Sequence, residues 1–269
     1  MPTQQQPTST SEESWTGADS SMTAIGDMPI AAFDLETTGP NPLSDRIVTA
    51  HLSLINPTTK QIQPRDWLLN PGIDIPAGAT AVHGITTEHA REHGQDYAEG
   101  VQQIRDALIN AWEAGHVVVA FNGAFDLTMV NAESDRLDLT GKLLSYLTVV
   151  DPMIIDKRYD KYRKGSRKLG DMCAHYGITL DNAHEAAADA LAAARLAYKL
   201  LRRYNLAGKT AEQLMDDQAD WYADQQTSLA TYWRGEAQEL TGDEQAELLA
   251  RAASVTTEWP IKHAQPAAA

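Results

Sequence analysis

IAAFDLETTG, residues 30–39, combines a short apolar run with two carboxylates. The apolar run predicts a buried strand, and residues two apart on a strand point to the same face, so Asp34 and Glu36 should lie together at its exit. Carboxylates beside a core are costly to bury, and a divalent cation is their natural compensation. The alternative is an ordinary strand exit. The Thr-Thr-Gly that follows favours a ligand, because small residues let the backbone approach a bound molecule closely.

Further strands and helices extend outward from this run. Alternating or continuous apolar residues predict four more strands, at 46–57, 61–72, 116–122 and 146–151. Helical spacing predicts helices at 97–115, 125–139, 166–177 and 185–204. Strands that begin as a meander and continue in alternation with helices indicate an α/β fold, a mixed sheet with helices on its faces.

Two later motifs add acidic residues and a histidine at element ends. Asp126 lies in FNGAFD (121–126), where a predicted strand passes into a helix, and HEAAAD (184–189) supplies His184 and Asp189 at the start of an Ala-rich helix. Each has a purely structural alternative, a favourable helix-terminal charge or a solvated acid. Four carboxylates and a histidine together suit two-metal phosphodiester hydrolysis, with the histidine accepting the proton of the attacking water.

The run KRYDKYRKGSRK, residues 157–168, holds seven of the 22 Lys and Arg residues in the chain. One interpretation is a solvated loop and helix face. The other is a phosphate-binding edge, with tyrosines available to stack. The run alone does not distinguish these interpretations.

Composition excludes several classes of protein. The 269 residues carry a formal net charge of −15, which argues against a protein that coats nucleic acid non-specifically. No apolar run is long enough for a membrane span, and the first residues lack the pattern of a secretory signal. A single cysteine, Cys173, forms no intramolecular disulfide. We therefore expect a cytoplasmic protein without a membrane partner.

Both ends of the chain differ from its middle in residue composition or charge. Residues 1–28 are rich in Ser, Thr, Gln and Pro and predict a disordered leader, before a central domain at 29–204. Residues 205–269 carry 4 basic and 11 acidic residues and predict an acidic helical extension. Two apparent capping boxes, Thr210 with Gln213 and Thr241 with Glu244, predict helices at about 211–235 and 242–253.

An aromatic and aliphatic stripe on the first of these helices has to pack on something. Its members are Leu214, Trp221, Gln225, Leu229 and Tyr232. One interpretation is packing against the central domain. The other is docking to a DNA polymerase or to a second copy of the chain.

The motifs FDLETTG, FNGAFD and HEAAAD resemble, in order and separation, those of the DnaQ-like DEDDh 3′–5′ exonucleases of the RNase H-like superfamily. IPAGATAVHGIT (75–86) is similar to the family's substrate loop. The resemblance covers about residues 28–204. It implies a five-stranded mixed sheet with one antiparallel strand, and hydrolysis of DNA from the 3′ end to nucleoside monophosphates.

The resemblance also implies a role for each matched residue. Asp34, Glu36 and Asp189 would hold the tighter of two Mg²⁺ ions, with Mn²⁺ as a substitute, while Asp34 and Asp126 would hold the second. His184 would be the general base. The remaining expected contacts are to the substrate: Thr37, Thr38, His83 and Asn122 to the terminal nucleotide, and Lys161, Arg163, Lys164 and Arg167 to the approaching strand.

Two other functions compete with a DNA exonuclease. One is a 3′–5′ exoribonuclease of the same fold, since a contact to a 2′-hydroxyl cannot be recognised in the sequence. The other is a non-catalytic module that binds a polymerase. The intact set of acidic residues favours an enzyme.

Overall fold

A computed structural model describes residues 23–56, 58–139, 143, 147–180 and 185–263. Its five strands form one sheet in the order β3-β2-β1-β4-β5. They are Ile30–Thr37 (β1), Ile47–Ile55 (β2), Ile62–Leu68 (β3), Val117–Val119 (β4) and Val149–Val150 (β5). β2 is antiparallel to both of its neighbours, while β1, β4 and β5 run parallel. The predicted mixed sheet with one antiparallel strand is confirmed.

Nine α-helices accompany the sheet within the described residues. They are Ala77–His83 (α1), Thr87–His93 (α2), Tyr97–Glu113 (α3), Ala124–Arg136 (α4), Pro152–Tyr159 (α5), Leu169–His175 (α6), Ala186–Arg203 (α7), Ala211–Glu236 (α8) and Gly242–Ala253 (α9). The sequence patterns predicted six of these helices. They missed α1, α2 and α5, each of eight residues or fewer. No helix of the described chain is both long and apolar enough to cross a bilayer.

The side chains on the two faces of β1 pack against different helices. Phe33 and Leu35 enter the core that α3 and α4 cover. Ala32 faces the other way and packs against Ala190 and Ala194 of α7. These small side chains let α7 lie close to the strand, so the residues that follow Ala32 on the same face point toward the start of α7.

The acidic extension packs against the sheet through the first half of α8. Gln218, which is fully buried, accepts the Asp151 N–H at 2.8 Å and donates to the Val149 carbonyl at 2.9 Å. These are backbone groups of β5 and its exit, at the edge of the sheet. Trp221 and Tyr222 join the core beside α5 and α7. The extension therefore covers an edge that would otherwise present unpaired backbone groups.

The second half of α8 departs from the predicted stripe. Leu229 and Tyr232 are 37% and 59% exposed, because this half packs on α9 instead of on the sheet. The capping box at Thr210 is confirmed by both of its hydrogen bonds. The box predicted at Thr241 is wrong: α9 does begin there, but its side chain makes no capping bond.

The predicted boundary at residue 28, between the leader and the central domain, falls within a packed segment. Residues 1–22 lie outside the described chain, but Ile25 and Met28 are buried in the core and Ala24 bridges to Thr210. Two apolar side chains in a polar sequence were too weak a signal to move the predicted boundary from 28. Cys173 is buried on α6.

Candidate active site

Three carboxylates meet where β1 ends. Asp34 and Glu36 follow Ala32 on the face toward α7, and Asp189 lies in the first turn of that helix. One oxygen from each lies within 4.8 Å of the others. Oxygens that share one Mg²⁺ at about 2.1 Å lie up to about 4.2 Å apart. The cluster is thus close to the geometry of a single divalent cation site.

The electrostatics of this cluster favour a bound cation. Burial, together with the charges of Asp126, Glu36 and Asp189, raises the pKa of Asp34 well above its ordinary range. Burial and the Asp189 charge raise the pKa of Glu36 to about 7. Carboxylates that repel one another in a low-dielectric site are unfavourable until a cation joins them. The donor set therefore fits a divalent metal ion.

Asp126 lies beside this cluster on the first turn of α4. Its side chain is buried, and its Oδ1 accepts the Leu35 N–H at 3.1 Å. That bond fixes the carboxylate to the backbone between Asp34 and Glu36. Burial raises the Asp126 pKa, and its backbone hydrogen bonds only partly offset this. The structure thus brings all four predicted acidic residues together, with Asp126 just outside the group of three.

The backbone at Asn122 is shaped by a carboxylate to which the sequence analysis assigned no role. Asn122 has a φ of 60°, a left-handed conformation that asparagine tolerates better than most residues. Asp151, at the exit of β5, accepts the N–H groups of Asn122 and Gly123 at 3.1 and 3.0 Å. Burial raises the pKa of Asp151 to about 6. Its place after a predicted buried strand was the signal that identified Asp34, and it could have identified Asp151.

A cavity of about 760 Å³ opens next to the acidic cluster. Its lining includes five predicted site residues and an aromatic ring that was not predicted: Glu36, Thr37, Thr38, His83, Asn122 and Phe125. Ile85 N–H donates to His83 Nδ1 at 3.1 Å, which leaves Nε2 as the donor. Within the described chain, this buried Nε2 makes no well-formed hydrogen bond, although the Thr37 backbone lies close enough to interact with the ring. Burial lowers the His83 pKa.

The Thr-Thr-Gly loop that borders this cavity is held in place by residues from other segments of the chain. Thr38 exchanges backbone and side-chain hydrogen bonds with Arg46 at 2.9 Å. Arg46 in turn pairs with the fully buried Glu133 at 3.3 Å. A Cβ at Gly39 would lie 2.5 Å from Asp45 Oδ2, so a side chain there would displace the carboxylate that accepts the Asn41 N–H. The conformation of the Thr-Thr-Gly segment therefore depends on residues with no recognisable sequence signal.

The remaining predicted residues divide into three groups. His184 lies outside the described residues. Lys161 and Lys164 are exposed after α5. Arg163 and Arg167 instead pair with the buried Asp156, at 3.0 and 2.7 Å. These two guanidinium groups hold the loop together, and a contact from them to substrate stays a prediction.

The chain is similar to known proteins. Residues 31–197 match the family model RNase_T, described as exonuclease. The chain belongs to this exonuclease family. The matched span contains the four carboxylates and ends within α7, so the extension lies beyond it.

The exonuclease domain has relatives among DNA polymerases. It is 26% identical over 179 residues to the PolC-type DNA polymerase III of Streptococcus pneumoniae serotype 2, covering 66% of this chain and 11% of that one. The corresponding protein of Listeria innocua is 28% identical over 181 residues, with coverages of 66% and 12%. The chain thus spans about a tenth of the length of these relatives.

Solved structures share the fold. A structure of exonuclease I superposes with a TM-score of 0.56 at 20% identity, over 65% of this chain and 41% of that one. Escherichia coli exonuclease I in complex with a dT13 oligonucleotide gives a TM-score of 0.55 at 19% identity, over 70% and 42%. The fold is that of the DnaQ-like, RNase H-like exonucleases.

Proposed function

We propose that the chain is a metal-dependent 3′–5′ exonuclease that releases nucleoside monophosphates from DNA 3′ ends. The observation that carries the proposal is the group of three carboxylate oxygens within 4.8 Å, with Asp126 fixed beside them. The similarity to polymerases that copy DNA favours DNA over RNA as the substrate. Exonuclease I bound to an oligonucleotide supports a single-stranded 3′ end.

In this proposal the chain holds two divalent cations, Mg²⁺ or Mn²⁺. Asp34, Glu36 and Asp189 hold one of them. Asp34 is shared with the second, which Asp126 helps to hold. Two such cations stabilise the charge on the attacking and leaving oxygens of a phosphodiester displacement.

His184 is the proposed general base, on the evidence of its position in HEAAAD five residues before Asp189. A base acts on the rate of reaction rather than on the affinity for metal. We expect His184→Ala to lower turnover by about 10²–10⁴-fold and to leave metal binding, measured by calorimetry, nearly unchanged. Loss of a metal site in this variant would make His184 a ligand instead.

The cavity is the proposed place of the terminal nucleotide. The buried Nε2 of His83 makes no well-formed hydrogen bond to the described chain and is available to donate to a substrate. Thr37 and Thr38 border the same space, and Asn122 faces it from the start of α4. An unpaired buried donor is costly, and a polar group of the substrate would relieve that cost.

The test is digestion of DNA labelled at its 5′ or its 3′ end, with Mg²⁺, Mn²⁺ or EDTA. A 3′–5′ exonuclease shortens the 5′-labelled strand stepwise and releases the 3′ label at once as a mononucleotide. Asp34→Asn is the matched inactive variant. Activity in EDTA, or undiminished activity of Asp34→Asn, would refute the metal mechanism. Faster digestion of the equivalent RNA would make the chain an exoribonuclease.

A further inference from the structure

The structure divides the cations of the basic run into two sets. Arg163 and Arg167 are tied to Asp156, which also accepts the Tyr176 hydroxyl at 2.7 Å. Five others form no ion pair with any residue that the structure describes, and three of these five lie on or just after α5: Lys157, Arg158 and Lys161.

These three cations line one wall of a groove between α5 and α8, with a volume of about 420 Å³. The opposite wall comes from the acidic extension, mainly from uncharged residues of α8. Gln225, Gln226, Ser228 and Leu229 line it, with one carboxylate, Asp224. The groove therefore has a local excess of positive charge within a strongly acidic protein.

Direct contacts fix the positions of the two groove walls, α5 and α8, relative to each other. Gln225 Nε2 donates to the Ile154 carbonyl of α5 at 3.0 Å. Tyr159 stacks on Tyr204 and meets the Trp221 ring edge-on, with centroids 4.5 and 5.5 Å apart. These contacts are made within the protein itself, so they do not depend on an occupant, and Trp221 also lines the groove. The cations consequently face a preformed channel.

Helix α5 connects the groove to the candidate active site. Asp151, which holds the backbone of Asn122, is also the N-cap of α5. Lys157 lies later on that helix, and an eight-residue helix is about 12 Å long. A strand whose 3′ end lies in the cavity would reach the groove within a few nucleotides.

We propose that the α5–α8 groove binds the phosphates of single-stranded DNA a few nucleotides from the 3′ end, so that the extension supplies half of a second nucleic-acid site. This inference rests on the proposed function. A concave positive channel tracks a single-strand backbone. Contacts from Lys and Arg to phosphates carry no sequence information, so the contact is expected to be independent of sequence.

The test measures binding separately from cleavage. Fluorescence anisotropy in EDTA gives the Kd of a single strand of about 16 nucleotides. We expect Arg158→Glu with Lys161→Glu to raise this Kd about tenfold and to reduce its logarithmic salt slope by about 1.4, or about 0.7 per phosphate contact. Hydrolysis of a dinucleotide, which cannot reach the groove, should be unchanged. Neutral Arg158→Gln with Lys161→Gln should give an intermediate Kd.

A matched control separates the groove from net charge. Lys60→Glu with Arg65→Glu changes the charge equally, at two exposed residues of the β2–β3 hairpin outside the groove lining. This control should leave Kd within about twofold. Ser228→Lys, on the extension, should tighten binding. Equal weakening by both charge reversals, or no effect of Ser228→Lys, would overturn the inference. Absence of cleavage by the wild type would refute only the proposed function, since the binding measurement does not depend on it.

Discussion

Glu36 connects the geometry of the acidic cluster to pH. Its pKa is about 7 in the folded protein against 4.5 for an ordinary glutamate, because of burial and Asp189. The folded state therefore binds the proton more tightly than the unfolded chain. The stability that this provides is complete below pH 4.5 and is lost as pH rises through about 7.

We expect Glu36→Gln to remove this pH dependence in EDTA. Relative to the wild type, the variant should gain free energy of unfolding as pH rises from 4.5 to 7, because glutamine keeps the neutral form. Chemical denaturation at a series of pH values measures the difference. Glu99→Gln, at the exposed start of α3, is the control and should follow the wild type. A constant difference between Glu36→Gln and the wild type would show that the Glu36 pKa is ordinary.

At the scale of elements, the loop after α5 depends on one carboxylate. Asp156 is fully buried and binds Arg163 and Arg167. Removing one member of a buried pair leaves the other charge uncompensated. We expect Asp156→Ala to lower the free energy of unfolding by about 3 kcal/mol. Asp160→Ala, which removes a half-exposed partner of Arg163 at 3.5 Å, should cost less than about 1 kcal/mol. Equal effects of the two variants in urea denaturation would contradict a buried clamp.

The elements that the sequence predicted are those with a strong apolar period. Four elements had recognisable apolar patterns because each buries a continuous face: β1, β2, α3 and α7. α1 has no buried residue, and its seven residues carry no amphipathic signal. The acidic cluster was predictable because its members follow strands or begin helices. The roles of Glu133 and Asp156 were not, because Glu133 pairs with the distant Arg46 as well as with Arg136, and the partners of Asp156 lie in a charge-rich loop.

At the scale of the whole molecule, the extension completes the sheet. Gln218 pairs with backbone groups on both sides of Val150. Gln218→Leu leaves those groups buried without a partner, and we expect it to cost about 1–3 kcal/mol of unfolding free energy. Gln102→Leu, on an exposed position of α3, should cost less than about 0.5 kcal/mol. If both substitutions have the same small effect in thermal denaturation, the extension does not brace β5.

The outer half of the extension differs from the inner half. Leu229 and Tyr232 are exposed, and Leu249 of α9 is 45% exposed. The first half of α8 therefore packs against the central domain, which was one of the two interpretations from the sequence. Docking of the second half to a polymerase or to another copy stays a prediction.

Because Cys173 is buried, the rate at which a reagent labels its thiol can report how often α6 separates from the rest of the molecule. Burial, with the Asp189 charge adding to it, raises the thiol's pKa to about 11, so the folded protein presents almost no thiolate. A disulfide reagent should react only when α6 separates from α7, and the labelling rate then reports that separation. Because Asp189 is also a proposed metal ligand, Mg²⁺ should slow labelling by the factor by which it stabilises the closed state. Labelling as fast as that of the unfolded chain would show that α6 does not stay packed on α7 in the folded protein.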